Sequence, residues 1–136
     1  MKYSPNNWQY KSLEILENDV WDDLKEFPTG LVERCYKLRK KPLNEFTNED
    51  IRTMIGQQIG LPYLIPLAIE ILKKDLLAEG DLYRGAVLES VVKVDVLFWK
   101  QNTQLWTQLN DLIERKRGMI NQNGISLKKF NTALIT

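Results

Sequence analysis

Histidine is absent from the 136 residues and cysteine occurs once. Without histidine the commonest general base and metal ligand is missing, and a single thiol excludes an internal disulfide and thiolate-clustered zinc or iron–sulfur sites. Cys35 lies among Leu31, Val32, Tyr36 and Leu38, with no imidazole anywhere to ionise it, so it reads as a small buried hydrophobe in a reducing compartment. Long apolar runs are also missing. The most apolar stretch, "IGLPYLIPLAIEIL", carries Glu70 and two prolines and is too short to span a bilayer. The start, "MKYSPNNWQYKSLEILEND", has no apolar targeting core. Neither a signal peptide nor a transmembrane segment is expected, and the expected location is the cytoplasm.

Charge of one sign is not in excess: 19 Lys and Arg face 18 Asp and Glu, for a net charge of +1. Such balance argues against a protein that lives on nucleic acid, which needs a basic footprint. No phosphate-cradling glycine motif occurs either. The adjacent carboxylates Asp22 with Asp23, or Glu79 with Asp81, would serve hydrolysis only at a separation that sequence does not fix. An enzyme is therefore not expected, and no catalytic residue, cofactor site or metal site is assigned.

What is present is helical periodicity. At 43% hydrophobic the chain has enough apolar material for one core without staples. Apolar residues recur at helical rather than alternating spacing, which predicts an all-α or nearly all-α fold, a single compact bundle of about six to eight short helices. Residues 1–136 read as one domain, with 1–11 and 119–136 as tails that fray or dock.

Ser12 is positioned to cap a first helix whose stripe Leu13, Ile15, Leu16, Val20, Trp21, Leu24 runs to Phe27, with Asn18 and Asp19 as a point of division and Pro28 and Gly30 as breakers. A second helix from Leu31 ends near Pro42, and Lys37, Arg39, Lys40 and Lys41 crowd its last turn, where positive charge suits the helix dipole and faces water. Thr47 starts a third helix with stripe Ile51, Met54, Ile55, Ile59; Gly56 on it suggests close approach of a neighbouring helix. Gln57 and Gln58 read as backbone hydrogen-bonding groups.

A fourth helix from Pro62 carries Leu61, Ile65, Ala68, Ile69, Leu72 and Leu76 as the most buried stripe. After a turn marked by Gly80 and Gly85, a fifth helix runs to Lys93. Asp95 caps the next, and the last runs from Thr103 with Leu105, Trp106, Leu109, Leu112 and Ile113 inward. Trp21, Trp99 and Trp106 are expected in the core, and Tyr83 exposed.

Charge is segregated along the chain. Glu14, Glu17, Asp19, Asp22, Asp23 and Glu26 precede a segment rich in Arg34, Lys37, Arg39, Lys40 and Lys41. The two neutralise each other within the fold, or the acidic stretch meets a basic partner. Candidate binding residues are Asp19, Asp22, Asp23 and Glu26, with the turn of Glu79, Asp81 and Tyr83 as a second surface. A rival reading is a small helical nucleic-acid-binding regulator using 34–41 and 115–117.

The stretches "LRKKPLNEFTNEDIRTMIGQQIGLPYLIPLAIEIL", "LLAEGDLYRGAVLESVV" and "FWKQN" resemble the immunity proteins of bacterial contact-dependent growth inhibition (CDI) systems. The resemblance spans roughly residues 13–110, most specifically "RKKPLNEFT", "IGQQIGL" and "LAEGD". It implies a small cytosolic, non-catalytic inhibitor that binds the C-terminal toxin domain of a large exported protein and occludes its active or substrate-binding site. Many such toxins are nucleases, some resembling RNase A. The implied complex pairs one immunity monomer with one toxin domain, without membrane or nucleic acid as partner.

Overall fold

The computed structural model describes residues 8–79 and 83–134, and every regular element among them is helical, with no strand. The all-α expectation holds. The chain divides into two units, one ending at Thr47 and the other starting at Asn48.

The first unit holds α1 (Leu13–Leu16) and α2 (Gly30–Leu38), with short 3₁₀ turns at Trp8–Tyr10 and Leu43–Glu45. Leu13, Cys35, Leu38 and Leu43 are buried in it. The expected helix from Ser12 to Phe27 is not formed: α1 is a single turn, and residues 19–29 are irregular. Asn18 adopts the left-handed conformation, φ 51°. Its N–H reaches the Ile15 carbonyl at 3.2 Å, and the Asp19 N–H reaches the Glu14 carbonyl at 3.0 Å, the paired bonds of a Schellman termination. Asn tolerates that backbone because its short polar side chain offsets the steric penalty. Ser12 makes no side-chain cap bond. Thr29 does, accepting from the Val32 N–H at 3.1 Å and fixing the start of α2.

The second unit comprises α3 (Asn48–Gly56), α4 (Leu61–Lys74), α5 (Ala86–Val92), α6 (Val96–Gln101), α7 (Thr103–Arg115), α8 (Arg117–Gln122) and α9 (Lys128–Thr132). The predicted α4 stripe of Leu61, Ile65, Ala68, Ile69, Leu72 and Leu76 is buried throughout. Helix α3 packs mainly on α5, whose Val87, Leu88, Val91 and Val92 are buried. Close approach does not explain Gly56. It is exposed, and a Cβ there would meet nothing within 4 Å. It stands at the helix end, where Gln58, at φ 59°, supplies the left-handed residue of a second Schellman turn. The Gln58 side chain accepts from the Asp95 N–H at 3.1 Å, a structural bond as expected.

The tail is docked as far as residue 134. Phe130 is fully buried, edge-on to Trp99 at 5.3 Å and stacked on Trp106 at 5.0 Å, and the Trp106 Nε1–H donates to the Phe130 carbonyl at 2.9 Å. Trp99 is fully buried, while Trp106 and Trp21 are only half-buried. Asp95 caps α6, accepting from the Leu97 N–H at 2.9 Å.

Gly85 combines φ 88° with a Cβ position 2.7 Å from Ile125 Cδ1. Both the left-handed backbone and the contact penalise a side chain, so Gly85→Ala is expected to cost at least about 1 kcal/mol in urea unfolding. Burial pushes the Cys35 thiol above its ordinary value of 9.0, with Arg34 pulling weakly the other way. The folded state therefore holds this proton more tightly than the unfolded chain, and that contribution is complete below the unfolded value and lost as pH rises through the folded one. Native protein should resist thiol reagents at about pH 8, react fully once unfolded, and lose stability in alkaline titration unless Cys35 is replaced by Ala.

Candidate functional site

A side chain expected in water proves to be the most buried charge of the first unit. Arg39, placed by sequence in a solvated helix end, is 2% exposed. One η-nitrogen donates to the Glu17 carboxylate and the other to the Asp19 carbonyl, with the Asp19 carboxylate 3.9 Å away. The guanidinium lies 4.2 Å from the centre of the Trp21 ring, a favourable cation–π placement. Trp21 turns its Nε1–H to Asp19 Oδ2 at 3.2 Å and sets its ring edge-on to Tyr36 at 5.2 Å. Lys40 Nζ donates to Glu14 at 3.4 Å and to the Trp21 carbonyl at 3.3 Å.

These bonds explain why residues 19–29 do not coil into a helix. The Asp19 and Trp21 carbonyls are taken by cations from beyond α2 rather than by N–H groups further along the segment. The acidic stretch becomes an irregular arm, tied down at Glu17, Asp19 and Trp21 and again at Phe27, whose ring lies edge-on to Tyr36 at 5.1 Å. Beyond Trp21, Asp22, Asp23 and Glu26 are exposed, and none has an ion-pair partner among the described residues. Asp19 belongs to the tether and contributes to the surface from its edge.

The apolar stripe predicted for the core divides. Leu13 is buried, but Ile15 is 61%, Val20 63% and Leu24 42% exposed, and Leu31 on α2 is 44% exposed. Sequence missed them as surface residues because helical spacing assigned them inward; for Val20 and Leu24 the left-handed turn at Asn18 breaks that phase. Exposed carboxylates and large exposed apolar groups thus alternate along this segment.

In the second unit, Glu79 is exposed and its carbonyl accepts from Asn48 Nδ2 at 3.2 Å. Tyr83 is 46% exposed, as expected, and its hydroxyl donates to the Glu89 carboxylate. Asp81 lies outside the described residues.

The family model for CDI immunity proteins matches residues 15–109, taking in the arm, α2 to α6 and the first half of α7. The chain belongs to the CDI immunity protein family. An immunity protein of this family neutralises a CDI toxin, so a protein-binding surface is what the chain requires. No curated protein and no solved structure matches the chain. No helix among the described residues of this immunity protein is long and apolar enough to cross a membrane.

Replacing Arg39 by Met keeps the stem and removes the charge. Because Glu17 keeps access to water, the cost should fall below that of a fully buried pair, at about 2 kcal/mol in denaturant unfolding. Limited proteolysis should then cut after Lys25 at least about tenfold faster than in the wild type, as expected for a segment that has lost its tethers.

Proposed function

We propose that this immunity protein inhibits a nuclease toxin, possessing no catalysis of its own, by laying the acidic arm across the toxin's phosphate-binding surface. The observation that carries this reading is the exposure of Asp22, Asp23 and Glu26 on an arm fixed at its base by the buried Arg39. A nuclease must hold phosphates with cations, and carboxylates presented on a pre-set backbone compete for those cations with little ordering cost. Val20, Leu24, Ile15 and Leu31 supply the apolar burial that charge alone does not. The partner is the cognate C-terminal toxin domain, bound one to one in the cytoplasm; an RNase A-like fold suits the same electrostatics. The turn of Glu79, Asp81 and Tyr83 is a second contact surface.

The nucleic-acid reading loses support in the 34–41 segment. Lys37 pairs with Glu33 at 3.0 Å, Arg39 is buried on Glu17, and Lys40 is held by Glu14. These cations are engaged within the first unit.

Reversing Asp22 and Asp23 together to Lys should weaken binding to the cognate toxin domain by about a hundredfold or more, chiefly at low salt, with helical circular dichroism unchanged. Leu24→Ala should weaken it about tenfold through faster dissociation. The checks are calorimetric titration with the toxin domain and rescue of growth in cells expressing it. Unchanged affinity in both variants would move the interface off the arm.

A further inference from the structure

The second unit contains a pocket of about 240 Å³ where the ends of α4 and α7 meet. Lys73, Lys74, Arg84, Arg115 and Lys116 surround it, with Asp75 among them. Leu72, Leu76, Leu112 and Met119 contribute its apolar lining. The cations arrive from three places: the last turn of α4, the turn before α5, and the α7–α8 junction.

Helix-end chemistry alone does not account for this cluster. Lysines and arginines in a last turn complement the dipole, but Arg84 lies on no helix. Arg52 pairs with Glu49, Lys93 with Glu89 at 3.8 Å, and Arg117 with Glu114, whose carboxyl the hydrogen bond holds below its ordinary range, while Lys100, Lys128 and Lys129 have no carboxylate partner among the described residues. Around the pocket only Lys73 is matched, with Glu70 at 2.7 Å. Lys74, Arg84, Arg115 and Lys116 have no acidic partner among the described residues. The Asp75 carboxylate is occupied locally, accepting from the Leu77 N–H at 3.1 Å. Even after allowing roughly half a negative charge for each helix end, the pocket retains a clear positive excess.

We propose that this pocket binds a nucleotide-sized phosphate ester. A phosphomonoester carries up to two negative charges at neutral pH, enough to draw on several of these cations at once, and the Arg84 and Arg115 guanidiniums supply the fork geometry that phosphate oxygens accept. The apolar lining residues provide contacts for a base or sugar. Leu112, Arg115, Lys116 and Met119 lie beyond the stretch matched by the family.

The test is calorimetric titration of the full-length protein with 5′-AMP, inorganic phosphate and a short single-stranded oligoribonucleotide. Expected is saturable AMP binding, tighter than inorganic phosphate, that weakens at least about tenfold in the double variant Arg84→Glu, Arg115→Glu and steeply with salt. The variant Arg84→Lys, Arg115→Lys should keep part of the affinity, which separates charge from folding; circular dichroism checks both. Tighter binding of the oligonucleotide, lost in the same Glu variant, would identify the ester as part of an RNA strand. Absence of saturable binding by AMP and oligonucleotide would overturn the proposal, as would affinity unaffected by the Glu variant. Loss of toxin neutralisation in that variant without any nucleotide binding would instead assign these cations to the toxin.

Discussion

A guanidinium removed from water must find its charge and hydrogen-bond partners inside the protein, and in the first unit that requirement organises everything around it. Arg39 finds Glu17, the Asp19 backbone and the Trp21 face. Each partner comes from the acidic segment, so satisfying one buried cation fixes a stretch of chain that has no regular structure of its own. The side chains that Arg39 and Lys40 do not engage, Asp22, Asp23 and Glu26, are left facing solvent. Order imposed by one buried cation thus yields a charged, partly apolar surface on a segment whose backbone is held in place.

The second unit is held differently. Its core is an aromatic and aliphatic assembly in which the tail closes over α6 and α7 through Phe130, with Trp99 and Trp106 on either side. Gly85 admits Ile125 to a position that any larger residue would occupy. Here local ion pairs such as Glu114 with Arg117 are incidental, while Lys74, Arg84, Arg115 and Lys116, without an acidic partner among the described residues, line one pocket. Behind a net charge of +1 stand an acidic arm in one unit and a basic pocket in the other. A near-neutral total conceals both.

Much of this was legible in the residues. Helical spacing gave the all-α class and the buried stripe of α4, and Asp95 announced the cap of α6; charge segregation singled out Asp22, Asp23 and Glu26 as candidates, and the structure leaves them exposed. The resemblance to CDI immunity proteins, carried by segments such as "IGQQIGL", agrees with the family match over 15–109. The failures share a cause. The stripe from Leu13 to Leu24 was read as one helix because periodicity assumes continuous phase, and the left-handed residue at Asn18 interrupts it. Arg39 was read as a solvated helix end because the dipole argument is local and does not see partners some twenty residues away in sequence.

What the sequence by itself determined, then, is whatever follows from short-range chemistry: secondary-structure class, most helix ends, the inert character of Cys35, and the lack of residues for common catalytic and metal chemistry. The tertiary structure alone decided which charges are neutralised and which remain available. That choice depends on long-range hydrogen bonds and burial: Lys40 meets Glu14 and Arg39 meets Glu17, whereas Asp22 and Arg84 meet no partner among the described residues. Net charge and periodicity are sums along the chain. A binding surface is what remains after the fold has cancelled some of their terms in three dimensions.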